Sequence, residues 1–327
     1  MISVGIIGYG KMGQIRAKAL RKHHQAIIHS IYDVSLPNII KDELSKASCP
    51  EDIIKNEEID AVFICTPNYL NQSLTVKALN AGKHVFCEKP PSLNSKGMEE
   101  IRKVEKLNKK KLMYGFNHRH HASVKKIKEI VDGNVLGKVL WMRGRYGKEV
   151  NDDFFSGWRA NPKLSGGGIL IDQGIHMLDL MLYLGQEFDE IQSLVSNLYW
   201  KKKGIEDNVF VNLRNNSSGI CASVHSTMTQ WRYLFSLEVF LEGGSLVLNG
   251  LKTSSGAYGD EKLSIRSNKV QEEEHQVFHT DESWDSELEE FLLSIEQDTK
   301  ILSGSSNDAL KVMQLIDQIY DDKRRNE

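Results

Sequence analysis

The sequence predicts an α/β chain in two parts: a parallel sheet covered on both faces, then an α/β domain with an open, mostly antiparallel sheet. Three observations carry this. Short apolar runs alternate with helical stretches over roughly the first 120 residues, joined by short connections, which is the pattern of a parallel sheet. From Ala122 onward most segments are β-rich, with apolar and polar residues alternating, as in a sheet with one covered face. The 327 residues exceed what one ordinary core holds, so the division expected is 1–120 and 121–327.

Ser3 to Ile7 reads as a buried strand and Met12 to Arg21 as the helix behind it, with Gly8-x-Gly10-x-x-Gly13 between them. Such a turn suits a dinucleotide pyrophosphate. Gly8 permits the tight turn, Gly10 lets backbone approach the phosphates, and Gly13 lets helix and strand pack closely, while the helix N-terminus offers N–H groups to the anion. A second strand, Ala26 to Tyr32, ends in Asp33, 20 residues beyond Gly13, where the acidic residue that binds the adenosine ribose is expected; an Asp that only caps a loop is the alternative. A 2′-phosphate about 4 Å from this carboxylate would be repelled by roughly 4 kcal/mol per unit charge at an effective dielectric near 20. No Lys or Arg occurs in Val34 to Pro37 to offset it, so NAD is expected over NADP.

Helices are expected at Ile39 to Lys46 and Glu51 to Asn56. A strand at Ala61 to Cys65 runs into Thr66-Pro67-Asn68, and a helix at Asn71 to Ala81 is stopped by Gly82. The strand His84 to Cys87 leads into Glu88-Lys89-Pro90, Ser95 to Asn108 forms an amphipathic helix, and the strand Lys111 to Phe116 ends at Asn117. Gly8, Asp33, Thr66, Lys89 and Asn117 all fall at carboxyl ends of strands, where ligands of such sheets collect. In the second part a helix, Ala122 to Val131, precedes strands at Lys138 to Tyr146, Ile191 to Trp200, Asn208 to Leu213, Gly219 to Thr227, Tyr233 to Glu242 and Ser245 to Leu248. Polar Gly256 to Glu274 reads as an exposed excursion, and Trp284 to Ile295 and Asn307 to Tyr320 as closing helices.

Lys plus Arg total 42 against 44 Asp plus Glu, so nothing electrostatic points to nucleic acid or an anionic membrane as a partner. The chain opens directly on its first strand and has no apolar run of 18 residues, so a cytoplasmic protein without signal peptide or membrane span is expected. Four scattered cysteines form no C-x-x-C pair, and Cys65 and Cys87 are expected as small core residues.

The stretch Ser165-Gly-Gly-Gly-Ile-Leu-Ile-Asp172-Gln-Gly-Ile-His176-Met-Leu-Asp179 places Asp172, His176, Asp179 and Tyr183 on one face at helical spacing. Amphipathicity alone puts that face in solvent. The three glycines allow backbone or ligand to come close. Neighbouring residues of His118 to His121 on an extended segment would point alternately outward, so no metal site is expected.

GYGKMG, Glu88-Lys89-Pro90, Asn117-His118-Arg119, Gly157-Trp158-Arg159 and GGGILIDQGIHMLD occur in the order found in the Gfo/Idh/MocA oxidoreductases, which the sequence resembles over nearly its whole length. The resemblance implies an N-terminal Rossmann domain and a C-terminal domain whose open sheet often forms a subunit interface, hence a homo-oligomer. It implies an NAD-dependent dehydrogenase acting on a hydroxyl of a sugar, polyol or nucleotide-linked sugar. Some relatives instead hydrolyse glycosides by transient oxidation, and others only sense the dinucleotide. By position, the resemblance makes Lys89, Asp172 and His176 catalytic. His176 would take the hydroxyl proton, Lys89 would steady the oxygen, and Asp172 would orient the imidazole. It also places Lys11 and Met12 on the pyrophosphate, Thr66, Pro67 and Asn68 along the ribose and adenine, and Glu88 by the nicotinamide ribose. Asn117 would lie by the nicotinamide or substrate, with Trp158 and Arg159 on a loop that reaches the cofactor. Asn71 departs from the pattern, since many relatives carry His there.

Overall fold

The computed structural model describes residues 1–35, 44–185, 187–253, 255–270 and 272–326, with side chains as far as Asp322. Two compact units divide them, Met1–Asn117 with Ser283–Leu310 and His118–Glu282 with Lys311–Glu327.

The first unit is built on six strands, β1 (Ile2–Ile7), β2 (Ala26–Tyr32), β3 (Ser45–Lys46), β4 (Ala61–Ile64), β5 (His84–Cys87) and β6 (Leu112–Tyr114), all parallel in the order β3-β2-β1-β4-β5-β6. Nearly every residue of β1, β4 and β5 is buried, because helices cover both faces and leave no solvated side. Those helices include α1 (Lys11–Leu20), α2 (Pro50–Lys55), α3 (Asn68–Asn80) and α4 (Ser95–Asn108). Most of the helix expected at Ile39 to Lys46 lies outside the described residues, and its last two residues form β3 instead. Helix α3 begins at Asn68 rather than Asn71, since Pro67 serves as its N-cap residue in an extended conformation. Cys87 is buried, whereas Cys65, just past the end of β4, is only partly so.

A helix far along the chain, Ser283–Glu296, belongs to this unit although the sequence division at 120/121 places it in the second part. Packing explains this. The ring of Phe291 meets Phe63 of β4 and Phe86 of β5 edge-on, each with centroids 5.6 Å apart, and Leu288 and Leu292 join the same core. A buried Arg16 on α1 lies over Phe86 and over Trp284 of that helix and pairs with Glu287 at 2.6 Å.

The second unit is organised on an eight-stranded sheet. Its strands are β7 (Val139–Glu149), β8 (Glu190–Ser196), β9 (Asn208–Arg214), β10 (Cys221–Thr227), β11 (Thr229–Leu241), β12 (Gly244–Asn249), β13 (Glu261–Ser267) and β14 (Glu274–Phe278), in the order β14-β13-β12-β11-β7-β10-β9-β8. Among the described residues of this sheet only the β7–β10 pair is parallel. The stretch Gly256 to Glu274 is therefore not an excursion: it carries β13, whose Leu263 is buried, and opens β14. Its polar residues belong to the last two strands on one side of the sheet, of which β14 is the edge, rather than to a loop. One face is covered by the helix Ile175–Gly185. A Cβ on Gly144 of β7 would come within 2.6 Å of Met177 and Met181 atoms of that helix, so glycine there sets the close packing. The other face exposes Trp141 stacked on Phe240, Phe210 stacked on His225, and Leu194. Among the described residues no helix is long and apolar enough to cross a membrane.

Candidate active site

In the first unit the sequence-predicted residues Gly8, Gly10, Lys11, Met12, Gly13, Asp33, Thr66, Pro67, Asn68, Glu88, Lys89 and Asn117 all lie at the carboxyl edge of the parallel sheet. The three glycines serve different ends. Gly8 has φ +90°, and a Cβ there would lie 2.5 Å from the Cys65 carbonyl oxygen; a Cβ on Gly13 would lie 2.1 Å from the Gly8 carbonyl oxygen. Both positions demand glycine for protein packing. Gly10 differs, because a Cβ there would project into open space, and no side chain caps the N-terminus of α1 at that residue. Among the described residues the first-turn N–H groups thus meet no side-chain cap, which suits a pyrophosphate. Asp33 stands beside them, its Oδ2 accepting from the Tyr9 N–H at 2.7 Å.

The loops after β4 and β5 are tied together by Asn71. This fully buried amide accepts from the Thr66 hydroxyl at 2.9 Å and donates to the Pro90 carbonyl at 2.8 Å and to the Glu88 carbonyl at 3.3 Å. The residue that departs from the family pattern therefore braces the turn that carries Lys89. Asn117 donates to the Ser283 hydroxyl at 3.1 Å. Glu88, expected near a ribose, is buried and accepts from Arg16 Nε at 2.7 Å, so one guanidinium serves two carboxylates, Glu88 and Glu287. Burial, reinforced by the Glu88 charge, pushes Glu287 up to about 8 despite its pairing with Arg16.

In the second unit the glycine run meets protein rather than open space. A Cβ on Gly167 would strike the Tyr320 hydroxyl at 2.2 Å, and one on Gly168 would strike the Glu206 backbone at 2.1 Å. The buried Glu206 carboxylate accepts from the Gly168 N–H at 2.7 Å, the Leu170 N–H at 3.0 Å and the Tyr320 hydroxyl at 2.9 Å. This clamp fixes the entry to the helix. The helix opens with a π turn, Leu170–Gly174, before the regular Ile175–Gly185 segment, so Asp172 sits in the wider turn and His176 in the α-helix.

The polar face that amphipathicity alone would put in solvent is largely inside. Asp179 is buried and accepts two hydrogen bonds from Arg119, at 2.6 and 2.8 Å, with the guanidinium lying over the Tyr183 ring. His176 is buried with its ring stacked on His118, centroids 3.9 Å apart and 13° between planes. His118 Nε2 lies 3.1 Å from the Tyr146 hydroxyl. Burial pushes that phenol up to about 12, so it stays protonated at neutral pH. The segment expected to be extended is a 3₁₀ turn, Asn117–His120, and burying His118 through His121 engages rather than exposes them: His121 pairs with Glu261 at 2.5 Å.

The Asp172 carboxylate is taken by Lys148 in a short ion pair, with Arg159 a further 3.7 Å contact. Arg159 also lies over the Trp158 ring, and Lys148 over Phe154, so the Gly157-Trp158-Arg159 loop gathers around Asp172. Sequence reasoning singled out neither Lys148 nor Tyr146, Gln173 or Tyr258, which line this region. The inward alternation of β7 was a usable signal for Tyr146, whereas Tyr258 lies in a polar stretch with no such mark.

Two family models match the chain: an oxidoreductase family with an NAD-binding Rossmann fold over residues 2–116, and the GFO/IDH/MocA C-terminal domain over residues 124–247. The chain is 29% identical to a myo-inositol 2-dehydrogenase of Thermotoga maritima, covering 79% of this chain and 78% of that one. It is 26% identical to an inositol 2-dehydrogenase of Rhizobium meliloti, covering 97% and 95%. With a D-glucoside 3-dehydrogenase of Escherichia coli it shares 30% identity over 56% of this chain and 54% of that one. A levoglucosan dehydrogenase solved in complex with NADH superposes with a TM-score of 0.88 over 99% of this chain and 97% of its own, a likeness of fold at 22% identity.

Proposed function

Because the chain belongs to the GFO/IDH/MocA family of NAD-binding oxidoreductases, we propose that it transfers hydride between NAD and a secondary hydroxyl of a cyclic sugar or polyol. When bound, the nicotinamide supplies the hydride acceptor. The chain's own residues handle the proton and the charge. His176 accepts the hydroxyl proton as the C–H bond breaks to hydride and the C–O bond becomes a carbonyl. Lys89 donates a hydrogen bond to the same oxygen as negative charge gathers on it. Asp172, the third residue of the proposed set, lies on the turn before His176 and is held there by Lys148.

The observation that carries this reading is His176 itself, a buried imidazole backed by a stacked ring on a helix whose entry Glu206 clamps. Imidazole is the side chain whose ordinary titration lies nearest neutrality, which suits it to take and return a proton. The uncapped N-terminus of α1 at Gly10 and the neighbouring Asp33 support the dinucleotide, and Asp33 supports NAD over NADP. Inositol and glucoside dehydrogenases among the relatives support the substrate class. The exposed Trp141, Phe210 and Leu194 on the open sheet face support a homo-oligomer joined there.

A panel of inositols, hexoses and glucosides offered with NAD and with NADP tests the reading through the absorbance of reduced nicotinamide. Reduction of NAD by at least one cyclic polyol or pyranose is expected, with NADP at least about tenfold poorer in kcat/KM, the factor that 1.4 kcal/mol of repulsion produces. Reduction by none of them, or equal use of both cofactors, counts against it.

A further inference from the structure

Gln173 follows Asp172 in the π turn and is buried. Its Nε2 donates to the Tyr258 hydroxyl in a short contact, while its Oε1 is buried with no hydrogen-bond partner among the described residues. A buried amide oxygen left unpaired is costly, and buried acceptors almost always find a donor. The surrounding rings run in one series. Tyr258 lies 5.2 Å from Tyr146 and 5.0 Å from Tyr233, and Tyr146 lies 6.5 Å from His176. Tyr258 comes from the connection between β12 and β13, Gln173 from the turn before the His176 helix, and Tyr146 from β7. Three elements thus converge on one amide and a cluster of mutually tilted rings beside the imidazole.

We propose that Gln173 is a specificity-determining residue whose side-chain oxygen accepts a hydrogen bond from a substrate hydroxyl adjacent to the carbon being oxidised, while Tyr146 and Tyr258 meet the C–H face of the same ring. With Nε2 engaged by the Tyr258 hydroxyl, Oε1 is the amide atom left without a partner among the described residues. The ligand this fits is a six-membered polyol or pyranose bearing a vicinal diol: one hydroxyl for the proton acceptor, its neighbour for Gln173, and an apolar ring face for the tyrosines. The inference rests on the reading of His176 as the proton acceptor.

Binding to the NAD-loaded protein, read by saturation-transfer NMR, tests it without requiring turnover. The probes are myo-inositol, D-glucose and their monodeoxy analogues, on wild type, Gln173→Leu, Tyr258→Phe and His176→Ala. Wild type is expected to bind one monodeoxy analogue about 10- to 100-fold more weakly than its parent, the scale of one unmet buried hydrogen bond. Gln173→Leu should bind that parent and analogue alike while still discriminating among the others. Tyr258→Phe, which keeps the ring and removes only the hydroxyl, should lose part of the same discrimination. A Gln173→Leu protein that retains wild-type discrimination, one that weakens every probe by the same factor, or a wild type that binds neither parent overturns the proposal. His176→Ala should keep the discrimination tied to Gln173 and lose turnover. If it turns over normally, the proton-acceptor assignment falls, and with it the placing of the Gln173 hydroxyl beside the reacting carbon.

Discussion

Arg16 is a fully buried guanidinium between two carboxylates, Glu88 at the end of β5 and Glu287 on the helix Ser283–Glu296. One cation cannot fully compensate two buried anions, and it is Glu287 whose folded value rises, to about 8 from an ordinary 4.5, with burial the largest cause. A carboxyl whose folded pKa is raised contributes stability that is complete below its unfolded value and is lost as pH climbs through the folded value. The melting temperature of the first unit should therefore fall between about pH 5 and pH 8, and Glu287→Gln should flatten that slope. Thermal melts of both proteins across this range check it, and parallel slopes for the two would contradict the assignment. The same triad shows why Glu88 was only half legible. Its place in Glu88-Lys89-Pro90 marked it as part of a loop at the cofactor end, but its partner Arg16 stands 72 residues away in sequence, and no local pattern announces a contact of that range.

Among the elements, the strands and helices of the first unit other than β3 were legible because their signals are local: apolar runs, a glycine turn, a stop at Gly82. The strand Ala26–Tyr32 and the helix Ser95–Asn108 stand where periodicity put them. The helix Ser283–Glu296 was legible as a helix but not as part of the first unit, since its partners Phe63 and Phe86 are chosen by tertiary packing. The polar face of the His176 helix misled for the same reason. Asp179 is inside because Arg119 meets it, not because its own helix has room for a charge. The role of Ser283–Glu296 has a direct measure: Phe291→Ala removes a fully buried ring at the junction of β4 and β5. It should destabilise the first unit by about 3–5 kcal/mol in denaturant unfolding. A loss below about 1 kcal/mol would mean that the helix is not integral to that core.

For the molecule as a whole, the proposed reaction draws on both units. The first holds the glycine turn and Lys89, and the second holds the clamped helix bearing His176. The open face of the eight-stranded sheet, with Trp141 and Phe210 exposed, predicts an oligomer in light scattering, which Trp141→Glu should weaken. A wild-type protein that is monomeric at micromolar concentration would contradict it. The central claim is that Lys89 and His176 act on a single substrate oxygen, and kinetics of Lys89→Met, His176→Ala and the double variant on the best substrate test it most directly. Each single change should lower kcat by about 10²–10⁴-fold, and the double should be little worse than the poorer single, because residues that act as a unit are strongly non-additive. Losses that multiply, or either single variant turning over at the wild-type rate, would contradict it.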